Sequence, residues 1–209
     1  ARRPARDAAG RRSRLRRARV LVAAAFCPQP PLLVPSLAAG AASELDGVRA
    51  ACNAALGRML AAEPELVVVV GDGPALLEYG ETSVGSLAGF GVDVRVGLAP
   101  SPHPRAPAVL PLSLTVGAWL LHRSAWPGPR LAVAVPASAS GDEAARLGRT
   151  LAARAPRVAL LVMADGSARR SERAPGYVDE RAEPFDRTVA QALAHADADA
   201  LLRLDADLA

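Results

Sequence analysis

The sequence predicts a three-layer α/β/α domain with a mostly parallel central sheet. Short runs of Val, Leu and Ala alternate along the chain with longer stretches in which apolar residues recur at helical spacing. The short runs are continuous rather than alternating, which is typical of parallel strands that are buried on both faces. Hydrophobic residues make up 51% of the 209 residues and aromatic residues only 3%, so Val, Leu and Ala must build the single core that we expect.

Five apolar runs are predicted to form the strands of this sheet. The clearest is the second, a continuous run of Leu and Val that is closed by Gly71. The five runs are residues 20–26, 66–70, 92–96, 131–135 and 158–163.

Five helices are predicted between and after these strands. Ser43 is suited to cap the first, whose apolar residues recur every three or four positions until Pro64. Acidic residues favour a beginning of the third helix near Asp142. The predicted helices span residues 43–63, 110–122, 142–154, 184–194 and 199–204.

Charge divides the chain into two segments. Residues 1–19 carry nine Arg and one acidic residue, a net charge of +8, and are predicted to be a disordered extension or the product of a misplaced translation start. Residues 20–209 carry sixteen Arg and twenty acidic residues, a net charge of −4, and are predicted to be the folded domain. This balance argues against a basic nucleic-acid interface on the domain, so contact with nucleic acid is expected only through the Arg-rich tail.

The sequence predicts a cytoplasmic protein without membrane contact. No apolar run approaches the roughly 18 residues that a membrane-spanning helix requires. Residues 20–26 make only a short apolar run for a secretion signal, and Phe26 is too bulky for lipoprotein cleavage before Cys27. Cys27 and Cys52 lack the spacing of a metal site and are expected to be reduced, buried thiols.

Several common catalytic motifs are missing. A chain without Lys has no P-loop, and Leu76 stands where a dinucleotide fingerprint that starts at residues 71–73 needs its third glycine. Ser167 lies outside a Gly-x-Ser-x-Gly elbow. Three histidines are not clustered in the sequence and are expected to be structural or incidental: His103, His122 and His195.

Polar and turn-forming residues follow three of the predicted strands. These segments are residues 27–31, 71–74 and 165–167. Because the carboxyl ends of parallel strands meet at the edge of the sheet where ligands bind, we expect Gln29, Asp72 and Asp165 to face one cleft. Ordinary turn chemistry at strand exits is the alternative explanation of the same residues.

The three segments resemble the class III extradiol ring-cleavage dioxygenase family, including its Memo-type relatives. The resemblance covers roughly residues 20–205, and it is carried by residues 27–35, 67–74, 165–167, 174–177 and 184–186, with Arg181. It implies an α/β fold and, in the family, a non-haem Fe(II) site that opens catechol rings with O₂.

The chain departs from the family at three positions where the family has histidine. The family has iron-binding histidines at the positions of Gln29 and Asp72 and an acid/base histidine at the position of Ala168. An amide and a carboxylate suit Mg²⁺, Ca²⁺ or Mn²⁺ better than a redox iron site, and alanine transfers no proton. The family's carboxylate ligand comes from a C-terminal segment that has no match here. A C-terminal truncation of the domain would explain this difference.

We therefore expect a degenerate member of this family that does not retain Fe(II), whose cofactor is unknown, and that binds a small molecule or a protein partner without catalysis. One alternative is an active metal-dependent oxidoreductase of the aromatic-ring dioxygenase type, or a divalent-metal hydrolase, with a rebuilt site that uses Asp72 and Asp165. Asp165 and Ser167 are the candidate catalytic residues of that alternative. A nucleic-acid-associated protein acting through its tail is a third class, and all three are compatible with an oligomer.

Overall fold

A computed structural model describes residues 20–100, 106–172 and 177–205. The predicted tail, His103 and residues 174–176 lie outside the described residues. The strands are β1 Val20–Cys27, β2 Leu66–Asp72, β3 Leu77–Tyr79, β4 Val84–Ser86, β5 Arg95–Gly97, β6 Arg130–Val135 and β7 Arg157–Met163. The α-helices are α1 Pro35–Ala38, α2 Asp46–Leu60, α3 Leu112–Arg123, α4 Gly141–Ala152, α5 Ala182–Ala194 and α6 Ala198–Leu202. Within the described ranges, no helix has the length and apolar character that crossing a membrane requires.

β2, which contains four consecutive valines, lies at the centre of a five-stranded sheet with the order β1-β7-β2-β6-β3. It pairs in parallel with β7 and β6, and β7 pairs in parallel with β1. Val67, Val68 and Val69 are fully buried, because helices cover both faces of the sheet. The predicted three-layer α/β/α fold with a mostly parallel sheet is confirmed.

The prediction that residues 92–96 belong to the central sheet is wrong. The strand in this region, β5, pairs antiparallel with β4 in a separate two-stranded sheet. In residues 92–96, valines alternate with Asp93 and Arg95, which are exposed, and this alternation is typical of a segment with one face in solvent. The fifth strand of the central sheet is β3, which pairs antiparallel with β6 and is too short to show a pattern in the sequence.

Helices α2 and α3 cover one face of the central sheet. α2 buries Cys52, Leu56 and Met59, which recur at the predicted helical spacing. α3 approaches the sheet closely because residue 117 is glycine: a Cβ atom there would lie 2.5 Å from Cγ1 of Val69. The larger of the two apolar clusters therefore lies between these helices and the sheet.

Helix α4 covers part of the opposite face. Ser140 accepts a hydrogen bond from the backbone N–H of Glu143, and the Glu143 carboxylate accepts one from the backbone N–H of Ser140. This capping box begins the helix close to the predicted position. Leu151 of α4 packs with Val68 and Val133 of the sheet.

The first predicted helix begins three residues later than expected. Ser43 makes no side-chain cap, and it lies instead in a 3-10 helix, Ala39–Leu45, that precedes α2. Ala39 has a positive φ of 44°, which interrupts the helical path. The buried side chain of Arg49 donates to the carbonyl of Leu33 at 3.2 Å and pairs with Asp46 at 2.8 Å, so tertiary contacts hold this segment.

Candidate functional site

Three strands of the central sheet end side by side. In the order β1-β7-β2, all three run parallel, so their carboxyl ends lie at the same edge. Asp72 is the last residue of β2, Gln29 follows β1 by two residues, and Asp165 follows β7 by two residues. Strand order thus makes neighbours of three residues that are far apart in the chain.

Gln29 links the two carboxylates directly. Its backbone N–H donates to Oδ1 of Asp165 at 2.9 Å, and its side-chain Nε2 donates to Oδ1 of Asp72 at 2.8 Å. We call Gln29, Asp72 and Asp165 the strand-end cluster. The structure brings these three residues together as the sequence predicts.

Backbone pairing continues past the ends of the strands and positions the cluster. The N–H of Ala164 donates to the carbonyl of Cys27 at 3.0 Å, which ties the segment before Asp165 to the segment before Gln29. On the other side, the N–H of Gly73 donates to the carbonyl of Val135 at 3.1 Å. The cluster therefore rests on main-chain hydrogen bonds and not on side-chain packing alone.

The beginning of α3 supports Asp72 from behind. Ser113, in the first turn of α3, is buried and donates through its hydroxyl to the backbone carbonyl of Asp72 at 2.8 Å. This approach requires glycine at position 71, where a Cβ atom would lie 2.5 Å from Oγ of Ser113. Nothing in the local sequence marks Ser113 for this contact, because it comes from an element 41 residues away.

The cluster has both exposed charge and a buried acceptor without a partner. Asp72 and Asp165 are exposed, and Gln29 is half-buried. Oε1 of Gln29 is buried and accepts no hydrogen bond from the described residues. Because the carboxylate of Asp72 can only accept, Nε2 must face it, and Oε1 is left unpaired. A buried acceptor without a partner destabilises a fold by about 1–3 kcal/mol.

Ser167 lies beside the cluster in a turn that α5 holds. Its backbone N–H donates to Oδ1 of Asp186 at 3.0 Å, and Oδ2 of Asp186 lies 3.5 Å from Nη1 of Arg170. The hydroxyl of Ser167 accepts from the backbone N–H of Arg169 at 3.3 Å. The role of Asp186 could not be predicted, since a carboxylate in a later helix carries no local signal of the turn that it supports.

The two described histidines each bond to a backbone carbonyl of a residue outside the strand-end cluster. Nε2 of His122 lies 2.8 Å from the carbonyl of Gly97, and Nδ1 of His195 lies 2.8 Å from the carbonyl of Gln191. Ala168, at the family's acid/base position, is exposed next to Ser167 and carries no group that titrates. The strand-end cluster therefore offers amide and carboxylate groups, and no imidazole at the positions that match the family.

A mostly apolar depression of about 340 Å³ opens beside Asp72, between α4 and the sheet. Asp72 is its acidic residue, and its other lining residues include Val135, Leu147 and Met163. A larger depression of about 490 Å³ also has Val135 and Leu147 in its wall and adds Glu143. Small-molecule sites combine this volume and apolar lining with a few polar groups.

The donor set of the cluster does not fit the family's iron. Fe(II) sites of this kind use two imidazoles and one carboxylate, whereas the matching positions here supply an amide and a carboxylate. Within the described residues, no three His, Cys, Asp or Glu side chains are grouped to hold a metal ion. No protein-family model matches the chain, and no curated protein matches it. The resemblance to the extradiol family rests on the motif residues themselves.

Proposed function

We propose that this protein is a degenerate relative of the class III extradiol dioxygenases that binds a small molecule at the strand-end cluster without catalysing its conversion. The ligand class that suits the site is an amine with an apolar body. The observation that carries the proposal is the pair of exposed carboxylates, Asp72 and Asp165, that Gln29 holds together.

The two exposed carboxylates of the cluster favour a cationic donor. Oε1 of Gln29 has no partner among the described residues, and each cluster carboxylate uses only one oxygen in the hydrogen bonds with Gln29. A protonated amine supplies up to three N–H donors and one positive charge. Its charge would offset the negative charge of Asp72 and Asp165, which both adjoin the Gln29 amide.

The apolar depression beside Asp72 favours a ligand with an apolar body. Its wall includes Val70, Leu151 and Leu160, and its volume of about 340 Å³ suits a molecule of one aromatic ring with a short side chain. Burial of that ring would contribute roughly 25 cal/mol for each Å² of apolar surface removed from water. The combination of one charged end and one apolar end gives the site its proposed specificity.

The chemistry of the site supports binding without turnover. Gln29 and Ala168 stand at two positions where the family needs imidazole, and neither side chain exchanges a proton near neutral pH. Ser167 has its backbone held by Asp186, and its hydroxyl accepts from its own turn. A nucleophile without a base in hydrogen-bond reach is weak.

Binding of matched ligands tests the proposal. Phenethylamine and phenylpropionic acid share the aromatic ring and differ in the sign of their charge. We expect the amine to raise the melting temperature of the protein and to bind in calorimetry, and the acid to do neither. Asp72→Asn and Asp165→Asn should each weaken amine binding at least tenfold, because each removes one charge next to the ammonium group.

Asp93→Asn is the matched control, since Asp93 is an exposed carboxylate outside the strand-end cluster. It should leave amine binding unchanged. Equal binding of the acid and the amine, or unchanged binding in the Asp72 and Asp165 variants, would contradict the proposal.

A divalent-metal enzyme is the second candidate, and one observation favours it. Two carboxylates and an amide oxygen around Gln29 are hard oxygen donors of the kind that Mg²⁺ and Mn²⁺ prefer. Saturable binding of Mn²⁺ that is lost in Asp72→Asn, together with Mn²⁺-dependent hydrolysis of a phosphoester or amide substrate, would establish this candidate in place of the first.

A further inference from the structure

Strand β1 forms one edge of the central sheet and leaves a long apolar side unpaired. It has eight residues and no charged side chain, and among the described strands it pairs with β7 alone. The opposite edge strand, β3, has three residues, and its central residue, Glu78, forms an ion pair with Arg154. Short length and charge both protect a sheet edge from further pairing. β3 has both of these protections, and β1 has neither.

A bulge in β1 gives its exposed side chains a regular arrangement. Leu21 and Ala23 pair with consecutive residues of β7, so Val22 is an extra residue between them. Leu21, Ala24 and Phe26 therefore pair with every second residue of β7 and point to the same face of the sheet. All three side chains are exposed.

The backbone groups of the same three residues point away from the sheet. The N–H of Val20 donates to the carbonyl just before β7 at 3.2 Å, and the carbonyl of Cys27 accepts from the N–H just after β7 at 3.0 Å. Both end residues of β1 thus direct their backbone groups toward β7. Because these groups alternate between the two sides of a strand, Leu21, Ala24 and Phe26 direct theirs to the free edge in this register.

The free edge is complementary to a second copy of itself. An antiparallel copy of β1 that is centred on Ala24 places Ala24 opposite Ala24 of the second copy, and Leu21 opposite Phe26 of that copy. Opposed residues whose backbone groups face each other exchange two hydrogen bonds. A small residue then lies at the twofold axis with an apolar pair on each side, and such cross-strand pairs stabilise a sheet.

The side of this edge that faces α2 has room for a further strand. A depression of about 320 Å³ between β1 and α2 is lined by residues 23–26 and by Ala55, Arg58 and Met59. Arg58 is the charged residue of this lining, and two copies of it would repel rather than attract each other. Apolar contacts and backbone hydrogen bonds are therefore the interactions that this edge offers to a second copy.

We propose that the chain forms a homodimer in which the β1 strands of two copies pair antiparallel about Ala24, so that the two five-stranded sheets become one continuous sheet. An edge of about 25 Å, with side chains that reach about 10 Å to either face, buries roughly 500 Å² on each copy. The total of about 1,000 Å² is at the lower limit of specific interfaces, so the dimer is weak. It is independent of the proposed ligand site, because the strand-end cluster lies beyond the last residue of β1.

Sedimentation equilibrium of the whole chain tests the dimer. We expect a dissociation constant of about 10 µM that does not rise when NaCl is raised to about 0.5 M, since no ion pair holds the two edges together. Ala24→Lys should raise this constant at least about tenfold, because it places two like charges at the twofold axis. Leu77→Lys is the matched control at an exposed position of β3 and should leave the constant unchanged. Circular dichroism checks that both variants fold.

A cysteine at the twofold axis tests the register independently. In the proposed pair the Cα atoms of the two Ala24 residues are about 5.5 Å apart, which is within the range of a disulfide. Ala24→Cys should therefore form a disulfide-linked dimer on mild oxidation, whereas Leu77→Cys at the same concentration should remain mostly monomeric. The natural cysteines, Cys27 and Cys52, are buried, so peptide mapping should find the new cysteine in the link.

Four results would overturn the proposal. One is a whole chain that is monomeric at about 100 µM. Equal dissociation constants for Ala24→Lys and Leu77→Lys would show that the copies associate through another surface. Equal disulfide formation by Ala24→Cys and Leu77→Cys would exclude the register about Ala24. Dissociation by salt would show that charged segments, such as the Arg-rich tail, join the copies in place of the β1 edges.

Discussion

Among the individual residues, Gln29 has a position that few side chains could take. Its backbone bonds to Asp165 and its side chain to Asp72, so it must donate without carrying negative charge. Glutamate has nearly the same shape but offers an acceptor where Nε2 now donates. The neutral Gln29 therefore donates to two exposed carboxylates without adding a third negative charge.

Gln29→Glu should destabilise the protein at neutral pH by about 1–3 kcal/mol, because a third carboxylate would lie beside Asp72 and Asp165. Like charges raise the pKa of the new Glu in the folded state above that in the unfolded chain, where it is about 4.3. The penalty is therefore largest above the folded pKa and shrinks as pH falls toward the unfolded value. Urea unfolding from pH 4 to pH 8 measures it.

Gln191→Glu makes the same chemical change at an exposed position of α5 and is the control for this pH series. It should alter the free energy of unfolding by at most about 0.5 kcal/mol. If both variants showed the same pH profile, the proximity of Gln29 to the two carboxylates would have no energetic consequence.

Replacement of single side chains by imidazoles also tests the relation to iron enzymes. The natural protein should not retain stoichiometric Fe(II) and should not open catechol rings, since amide and carboxylate oxygens hold Fe(II) poorly. Gln29→His with Asp72→His should raise Fe(II) affinity, and Ala168→His should be needed in addition for turnover. Metal analysis and oxygen uptake with a panel of catechols measure both effects. Tight native iron with ring opening would refute the non-catalytic proposal.

Among the secondary-structure elements, two helices carry glycines in opposite environments. A Cβ atom at Gly117 of α3 would lie 2.5 Å from Cγ1 of Val69 and 3.1 Å from Sδ of Met163. A Cβ atom at Gly57 of α2 would meet nothing within 4 Å. Both positions are helical, so the two sites share the same intrinsic preference for alanine and differ in the space around them.

Gly117→Ala should destabilise the protein by about 1–3 kcal/mol, because the methyl group pushes α3 away from the sheet and from the Ser113 contact with Asp72. Gly57→Ala should stabilise it by up to about 1 kcal/mol through helix propensity alone. Denaturant unfolding of the two variants measures the difference. Stabilisation by Gly117→Ala would mean that α3 does not approach the sheet as closely as described.

For the domain as a whole, strand order creates the candidate site. β7 is the last described strand in the sequence, yet it pairs between β1 and β2. This insertion brings Asp165 to Gln29 across 136 positions of the chain. The site is therefore complete only after β7 has joined the sheet, and ligand binding should report on the fully folded domain.

The Arg-rich tail, residues 1–19, lies outside the described residues, and its contribution to the stability of the domain can be measured by deletion. Deletion of residues 1–19 should leave the melting temperature of the domain unchanged, because so polar a segment can bury little apolar surface. Thermal unfolding of the full and shortened chains measures this. A fall of several degrees would show that the tail packs on the domain, and loss of salt-dependent DNA binding with it would support the nucleic-acid hypothesis.

Local patterns in the sequence are sufficient to predict the fold class and most of the elements. Continuous runs such as residues 66–70 must be buried on both faces, and regular spacing such as that of Cys52, Leu56 and Met59 presents one apolar face, so these patterns encode the type of element and its burial. The same patterns, with the rule that parallel strands end at one edge, were enough to predict that Gln29, Asp72 and Asp165 meet.

Strand order, the short edge strand β3 and the separate sheet of β4 and β5 emerge only in the folded molecule. The same is true of the two bonds from Gln29 to the carboxylates and of the support that Asp186 gives to the turn of Ser167. These contacts join residues that are distant in the chain. Their free energy depends on how whole elements pair and pack, and no local spacing of residue types records that.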